Sequence, residues 1–236
     1  FECLRYLHAV KVATAKQIHK AIFKKDYSNF HKKLKKYEQL CLIRKIAGGK
    51  DFDASCPYVL SEQGLNTVRS NLCLTIAHNR FKSNSIHHDL FLVEIKRILE
   101  AKKMITGYYT ENQIQTYTDF NHDEKLIPFK TLCCDAMFTL QNNKQSKINV
   151  ALEFELSDKS SIEYKKKISN YYLEDFIHIV FYVCEGNKVE NKIRQLNQEI
   201  CNSNTSKIFI IQYSELIKEK EITNFNWQNN QHIPVS

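Results

Sequence analysis

At 236 residues, 43% hydrophobic and with only 5 Gly and 3 Pro, the chain is long enough for one large domain or two small ones, and its composition excludes a disordered or low-complexity protein. The formal charge of +8 is unevenly placed: residues 1–80 hold 15 Lys and Arg against 6 Asp and Glu, whereas residues 81–236 hold 19 against 20, an asymmetry that points to a polyanion bound by one module. No run nears the roughly eighteen apolar residues that cross a bilayer and none reads as a secretory signal, so no membrane insertion and a cytoplasmic location are expected, while Phe1 in place of Met suggests a fragment or a trimmed start.

The first predicted elements are three short helices, ECLRYLHAV, TAKQIHKAIF and SNFHKKLKKYEQLCLI. Their apolar residues recur at three and four positions: Leu4 and Leu7, Ile18 and Ile22, then Phe30, Leu34 and Leu40. Thr14 is placed to cap the second helix and Ser28 the third. RKIAGGKDFDASCPYVLS then reads as two strands joined by a Gly-Gly turn, and SEQGLNTVRS as a helix opened by a Ser cap. Three helices and a hairpin are the order of a winged helix-turn-helix, in which the third helix enters the major groove and the wing lies along the backbone. That helix carries Ser28, Asn29, His31, Lys32, Lys33, Lys35 and Lys36, and the hairpin adds Arg44, Lys45 and Lys50. Such a face neutralises phosphates and offers a few polar groups to base edges, so residues 1–80 are expected to form a double-stranded DNA-binding domain. The competing reading is a solvated lysine-rich helix.

From Asn84 the pattern changes, and residues 81–236 are expected to form a second domain. SIHHDLFLVEIKRILEAKKM reads as a helix, ITGYYTEN and IQTYTDF as short strands or loops, and LCCDAMFTL and INVALEFEL as a hairpin across the polar turn QNNKQSK. SSIEYKKKISNYYL is a helix, DFIHIVFYVC a buried strand, NKVENKIRQLNQEICN an amphipathic helix and KIFIIQY a further strand. This sequence of elements predicts an α/β (α+β) domain with a mixed sheet covered by helices. Eight cysteines lack the paired C-x-x-C spacing of zinc sites. Cys41, Cys73, Cys133 and Cys184 lie among apolar residues and are expected to be reduced core thiols.

Three acidic residues, Asp135, Glu153 and Glu155, sit inside the apolar hairpin, where an uncompensated carboxylate costs several kcal/mol. Pairing the strands brings Asp135 near Glu153 and Glu155 at one end of the sheet, and the period of two puts both glutamates on one face. A divalent cation would relieve their repulsion, and oxygen donors select Mg2+, Mn2+ or Ca2+. The following helix supplies Lys165, Lys166 and Lys167, any of which could orient a water or stabilise charge on a phosphate under attack. The alternative for Asp135 and Glu153 is a strand-end carboxylate or the partner of a buried lysine. For Glu155 it is a solvated strand end next to the capping residues Ser157 and Asp158. Glu94 on the linking helix is a further candidate carboxylate, with a salt bridge to Lys96 or Arg97 as its rival role. His87 and His88 invite a metal or acid-base role, set against packing at a helix start. Tyr171 and Tyr172 lie one turn beyond Lys167 and are candidate nucleophiles, although packing the helix against the sheet is the simpler role.

Asp, about eighteen residues, then Glu-x-Glu on paired strands and a Lys on the next helix resembles the PD-(D/E)XK nuclease superfamily, with Cys134 where a Pro is usual and Glu155 where the lysine usually stands. The resemblance implies a restriction-endonuclease-like catalytic domain with Asp135 and Glu153 as ligands of Mg2+ or Mn2+, and Lys167, or else Lys165 or Lys166, as the displaced lysine; Glu155 is expected to assist as a further metal ligand. Over about residues 1–185 the chain also looks like the replication-relaxation family, which includes MobC-type relaxases of mobilisable plasmids. The residues that carry this are the basic winged helix, His88-Asp89-Leu90, the run Cys134-Asp135-Ala136-Met137-Phe138, Leu152-Glu153-Phe154-Glu155, and the Lys167 to Tyr171 pair. That resemblance implies binding to a plasmid transfer or replication origin, relaxation of supercoiled DNA by nicking one strand, and cooperation with a coupling protein of a secretion channel. Two rival expectations are a non-catalytic replication or transcription regulator whose degenerate nuclease fold dimerises, and a restriction-type endonuclease that cuts both strands as a homodimer.

Overall fold

The computed structural model describes residues 1–23, 27–47, 56–72, 85–102, 105–141, 147–201 and 206–218. It divides into two compact units, Phe1–Arg97 with Tyr109–Asp119, and Ile98–Tyr108 with Phe120–Ser236. The architecture is mixed α/β, with a three-stranded and a five-stranded sheet. Among the described residues no helix is long and apolar enough to cross a membrane.

The first unit opens with α1 (Glu2–Val10), β1 (Val12–Thr14), α2 (Ala15–Ile18), a π-helical turn over His19–Phe23, and α3 (Tyr27–Gln39). It continues with β2 (Ile43–Lys45), β3 (Pro57–Leu60) and α4 (Glu62–Leu72). Cys3, Leu4, Leu7 and Val10 make one apolar stripe on α1 and are buried with Ile18, Phe30, Leu34 and Val68 in a single core. Thr14 starts α2 through a reciprocal capping box with Gln17. The sheet has the order β1-β3-β2, antiparallel throughout, so a strand stands between the first two helices where sequence periodicity alone predicts none.

Two details of α3 differ from the sequence reading. Ser28 lies inside its first turn and is not its cap. The helix also stops at Gln39 rather than running on to Ile43: Cys41 takes a left-handed φ of 50°, and the Leu42 N–H returns to the Tyr37 carbonyl at 2.9 Å, which is a C-terminal turn. Leu40 mimics helical periodicity but is 49% exposed. At α4, Ser61 caps the helix by accepting from the Gly64 N–H at 3.0 Å, and Gly64 packs so closely that a Cβ there would meet the Leu42 carbonyl oxygen at 1.9 Å.

The helix α5 (Ile86–Glu100) leads from the first unit into the second. After it come β4 (Ile105–Thr110), α6 (Glu111–Thr116), α7 (Asp119–His122), α8 (Ile127–Thr131), β5 (Ala136–Gln141) and β6 (Lys147–Glu155). The chain then runs through α9 (Ser161–Leu173), β7 (Ile179–Cys184), α10 (Asn187–Ile200), β8 (Ile208–Gln212) and α11 (Tyr213–Lys218). The segment IQTYTDF, expected as strand or loop, is helical over much of its length because Thr110 and Gln113 form a capping box that starts α6. LCC is likewise not strand: Cys133 takes a φ of 51° after α8, and β5 begins only at Ala136.

The five strands lie in the order β4-β5-β6-β7-β8. β5 and β6 are antiparallel, while β6-β7 and β7-β8 are parallel, so α9 and α10 are the crossovers that parallel pairing requires. β7 is buried along its whole length, as expected of a strand covered on both faces. On one face Phe154 packs against Tyr213 and Phe138 against Phe181. The other face carries the carboxylates.

Among the described residues the cysteines are free thiols. Cys3, Cys134 and Cys184 are buried, but Cys41 and Cys133 are exposed, contrary to the expectation of core positions, because both sit at left-handed turns. Cys73 lies outside the described residues.

Candidate active site

Continuing the β5-β6 register from Ala136 opposite Leu152 places Asp135 opposite Glu153. The Asp135 carboxylate is fixed there by the Phe154 N–H, which donates to Oδ2 at 2.8 Å. Glu153 and Glu155 are 1% and 2% exposed and alternate with Phe154, so both face the side opposite the phenylalanine core. Glu155 is therefore not a solvated strand end.

Their compensation comes from the segment that follows. Lys167 reaches Glu153 Oε2 at 2.5 Å, Tyr171 donates its hydroxyl to Glu153 Oε1, and the same hydroxyl lies 3.1 Å from Cys134 Sγ. Lys159 meets Glu155 at 2.8 Å, and the Tyr164 hydroxyl lies 3.4 Å from Glu155 Oε2. Tyr164, Lys167 and Tyr171 stand at i, i+3 and i+7, one face of α9, and Ser160 starts that helix with a capping box to Glu163. One helix face thus serves both glutamates. This pattern was present in the sequence as Y-x-x-K-x-x-x-Y and is the signal by which the tyrosines could have been found.

The three neighbouring lysines are told apart by this phase. Lys165 turns to Glu199 at 2.7 Å, Lys166 is exposed, and Lys167 goes to the carboxylates. Burial pushes the Glu153 carboxyl up, to about 7, against the pull of Lys167. Burial also raises Glu155, against the pull of Lys159. For Lys167 burial works downward, but the charges of Glu153 and Asp135 outweigh it and hold the ammonium above its ordinary value. Lys167 therefore stays cationic and suits charge stabilisation, not proton abstraction. Burial and the nearby Cys134 and Glu153 drive the Tyr171 hydroxyl well up, which disfavours the phenolate that a nucleophile needs. Tyr172 is committed elsewhere and donates to Asn197 at 2.8 Å.

β7 adds a residue that sequence reading missed. Tyr182 is the register partner of Glu153 and faces the same side. It is fully buried, its hydroxyl has no hydrogen-bond partner among the described residues, and Glu153 and Glu155 are the charges acting on it most strongly.

The remaining candidates belong to the first unit. Glu94 belongs to the first unit and its carboxylate is taken by Arg97 at 2.8 Å. His88 lies 3.5 Å from the buried Asp89 in that unit, and His87 packs on Phe91. Among the described residues, Asp135, Glu153 and Glu155 included, no three His, Cys, Asp or Glu side chains are grouped so as to hold a metal ion. The donor chemistry nonetheless fits a hard cation, since Asp135, Glu153 and Glu155 all offer oxygen and the orphaned Tyr182 hydroxyl is a donor lacking an oxygen to meet. In the arrangement described, Lys167 and Lys159 supply the positive charge.

The expected DNA-binding residues stand on the first unit. Asn29, His31, Lys32, Lys33, Lys35 and Lys36 are exposed on α3, while Phe30 and Leu34 are buried beneath them. Lys33 lies over the Phe23 ring. On β2, Arg44 is exposed, and Lys45 lies 3.5 Å from Glu38 and over Tyr58. Lys50 and the Gly-Gly turn fall outside the described residues, as does the Ser28 side chain.

No protein-family model matches the chain, and neither a curated protein nor a solved structure matches it significantly.

Proposed function

We propose that the chain is a metal-dependent DNA strand-nicking enzyme of the relaxase kind. The observation that carries this reading is the convergence of Asp135, just before β5, Glu153 on β6 and the cationic Lys167 on α9. Asp135, Glu153 and Glu155 would hold Mg2+ or Mn2+, which supplies Lewis-acid neutralisation of the phosphate when bound. Lys167 exchanges its carboxylate for a phosphate oxygen of the substrate and stabilises the charge that develops there. Tyr171 keeps Glu153 in place while Lys167 moves. Buried as it is, Tyr171 is not the attacking group, so the nick is hydrolytic.

The first unit supports the substrate class. The order α1-β1-α2-α3-β2-β3, with its small antiparallel sheet, is compatible with a winged helix, and the lysines of α3 face outward where double-stranded DNA would meet them. A transfer or replication origin is the proposed target, with a coupling protein of a secretion channel as partner.

A second reading is favoured by one observation. Both Glu153 oxygens are already engaged, by Lys167 and by Tyr171, which suits a regulator whose nuclease-like site has become structural. The test is a nicking assay on a supercoiled plasmid carrying the DNA that neighbours the gene, with Mg2+, Mn2+ or chelator, for the unaltered chain, Asp135→Ala and Glu153→Ala. Metal-dependent open circles that both variants lose support the enzyme. Uncut DNA with retained gel-shift binding supports the regulator, linear product a paired double-strand cutter, and a protease-sensitive adduct a tyrosine nucleophile.

A further inference from the structure

The least explained group in the second unit is the hydroxyl of Tyr182. Leaving a buried donor unmade costs about 1–3 kcal/mol, and phenylalanine would fill the same space without that cost. The other tyrosines around the cluster are occupied: Tyr171 by Glu153, Tyr164 by Glu155 and by the Ser157 carbonyl at 3.3 Å, and Tyr172 by Asn197. Tyr182 alone of these four lacks a partner among the described residues, although its register partner is Glu153 and Glu155 stands on the same face. The acceptors are committed to Lys167, Tyr171, Lys159 and Tyr164, and strand β7, buried along its length, leaves little room for the ring to be re-aimed.

We propose that Tyr182 is a positioning residue whose hydroxyl donates to an oxygen ligand, a water or a phosphate oxygen, that arrives at Glu153 and Glu155 together with a divalent cation. The inference rests on the metal-dependent reading above. It gives the site a donor on the strand beside Glu153, opposite in kind to the acceptor carboxylates. A ligand oxygen there receives one hydrogen bond from Tyr182 and remains beside the carboxylates, so its orientation is set before any bond is made or broken.

The test compares the unaltered chain with Tyr182→Phe, which removes one oxygen and keeps the ring. Mn2+ capture is followed by the loss of the free-ion electron paramagnetic resonance signal, with and without inorganic phosphate, and thermal stability is followed in chelator. Tyr182→Phe is expected to be at least as stable as the unaltered chain in chelator, and to bind Mn2+ about five-fold more weakly, the worth of one ordinary hydrogen bond. Weakening with Mn2+ alone assigns the ligand oxygen to water; weakening seen only with phosphate present assigns it to phosphate. Tyr164→Phe serves as the contrast, because its hydroxyl is already used and its loss should lower stability in chelator. Equal Mn2+ affinity for the unaltered chain and Tyr182→Phe in both arms overturns the proposal, as does a clear loss of stability for Tyr182→Phe in chelator. Absence of Mn2+ capture by the unaltered chain overturns the metal-dependent reading itself, and the role of Tyr182 with it.

Discussion

In the first unit the lysines of α3 stand on an exposed helix face while Phe30 and Leu34 turn inside. In the second, the glutamates of β6 lie inside an apolar sheet and are met by lysines and tyrosines from the segment that follows. Charge kept outside is hydrated and adds little to folding, so its use lies in what it attracts. Charge kept inside must be compensated by the fold, so its use and its cost are tied to the same contacts. The two regions therefore answer differently to mutation, and each difference is measurable.

The largest effect is expected at Glu153. Glu153→Ala leaves Lys167 partly buried without its carboxylate and should cost roughly 3 kcal/mol, the low end for breaking a buried pair, read from urea midpoints, together with loss of the nicking proposed above. The same group sets a pH dependence. Its folded pKa of about 7 lies above the ordinary 4.5, so the folded chain holds a proton that the unfolded chain sheds, and this contribution is fully present below about pH 4.5 and lost as the pH rises through 7. Relative to Glu153→Gln, the unaltered chain should lose stability between pH 5 and pH 7, and parallel midpoints across that window would show that Glu153 is not held up by burial.

Next comes Gly64, a test that the first unit depends on backbone packing and not on charge. Gly64→Ala should cost about 2 kcal/mol by overpacking against the Leu42 carbonyl, measured as a lowered melting temperature. The smallest stability effect is expected on α3. Lys32→Ala and Lys36→Ala should each change stability by no more than about 0.5 kcal/mol, yet each should weaken duplex binding and reduce the salt slope by about 1. A stability loss comparable to that of Glu153→Ala would erase the contrast between the two regions.

What was legible from sequence follows the strength of local patterns. The stripes of α1 and α9, the alternation in β6 and the continuous apolar run of β7 gave these elements directly, and the polar turn after Gln141 gave the pairing that brings Asp135 to Glu153. β1 was hidden because VAT is three residues long and carries no period. α6 was hidden by the β-branched and aromatic residues of YYTENQIQTY, although T-x-x-Q is a capping signature. At the site, the acidic residues and Lys167 stood out as charge in apolar surroundings. Tyr182 did not, because within IVFYVC it reads as one more core aromatic; only the parallel register shows that it shares a face with Glu153.

The cross-strand register between β5 and β6 sets which changes the acidic pair can survive. The pairing runs unbroken from Ala136 opposite Leu152 to Gln141 opposite Lys147, and it is this register that keeps Asp135 opposite Glu153. A slip of one residue would instead carry one carboxylate to the phenylalanine face. Substitutions on the surface leave that acidic pair standing, whereas any change that shifts the pairing of β5 with β6 dissolves it at a stroke.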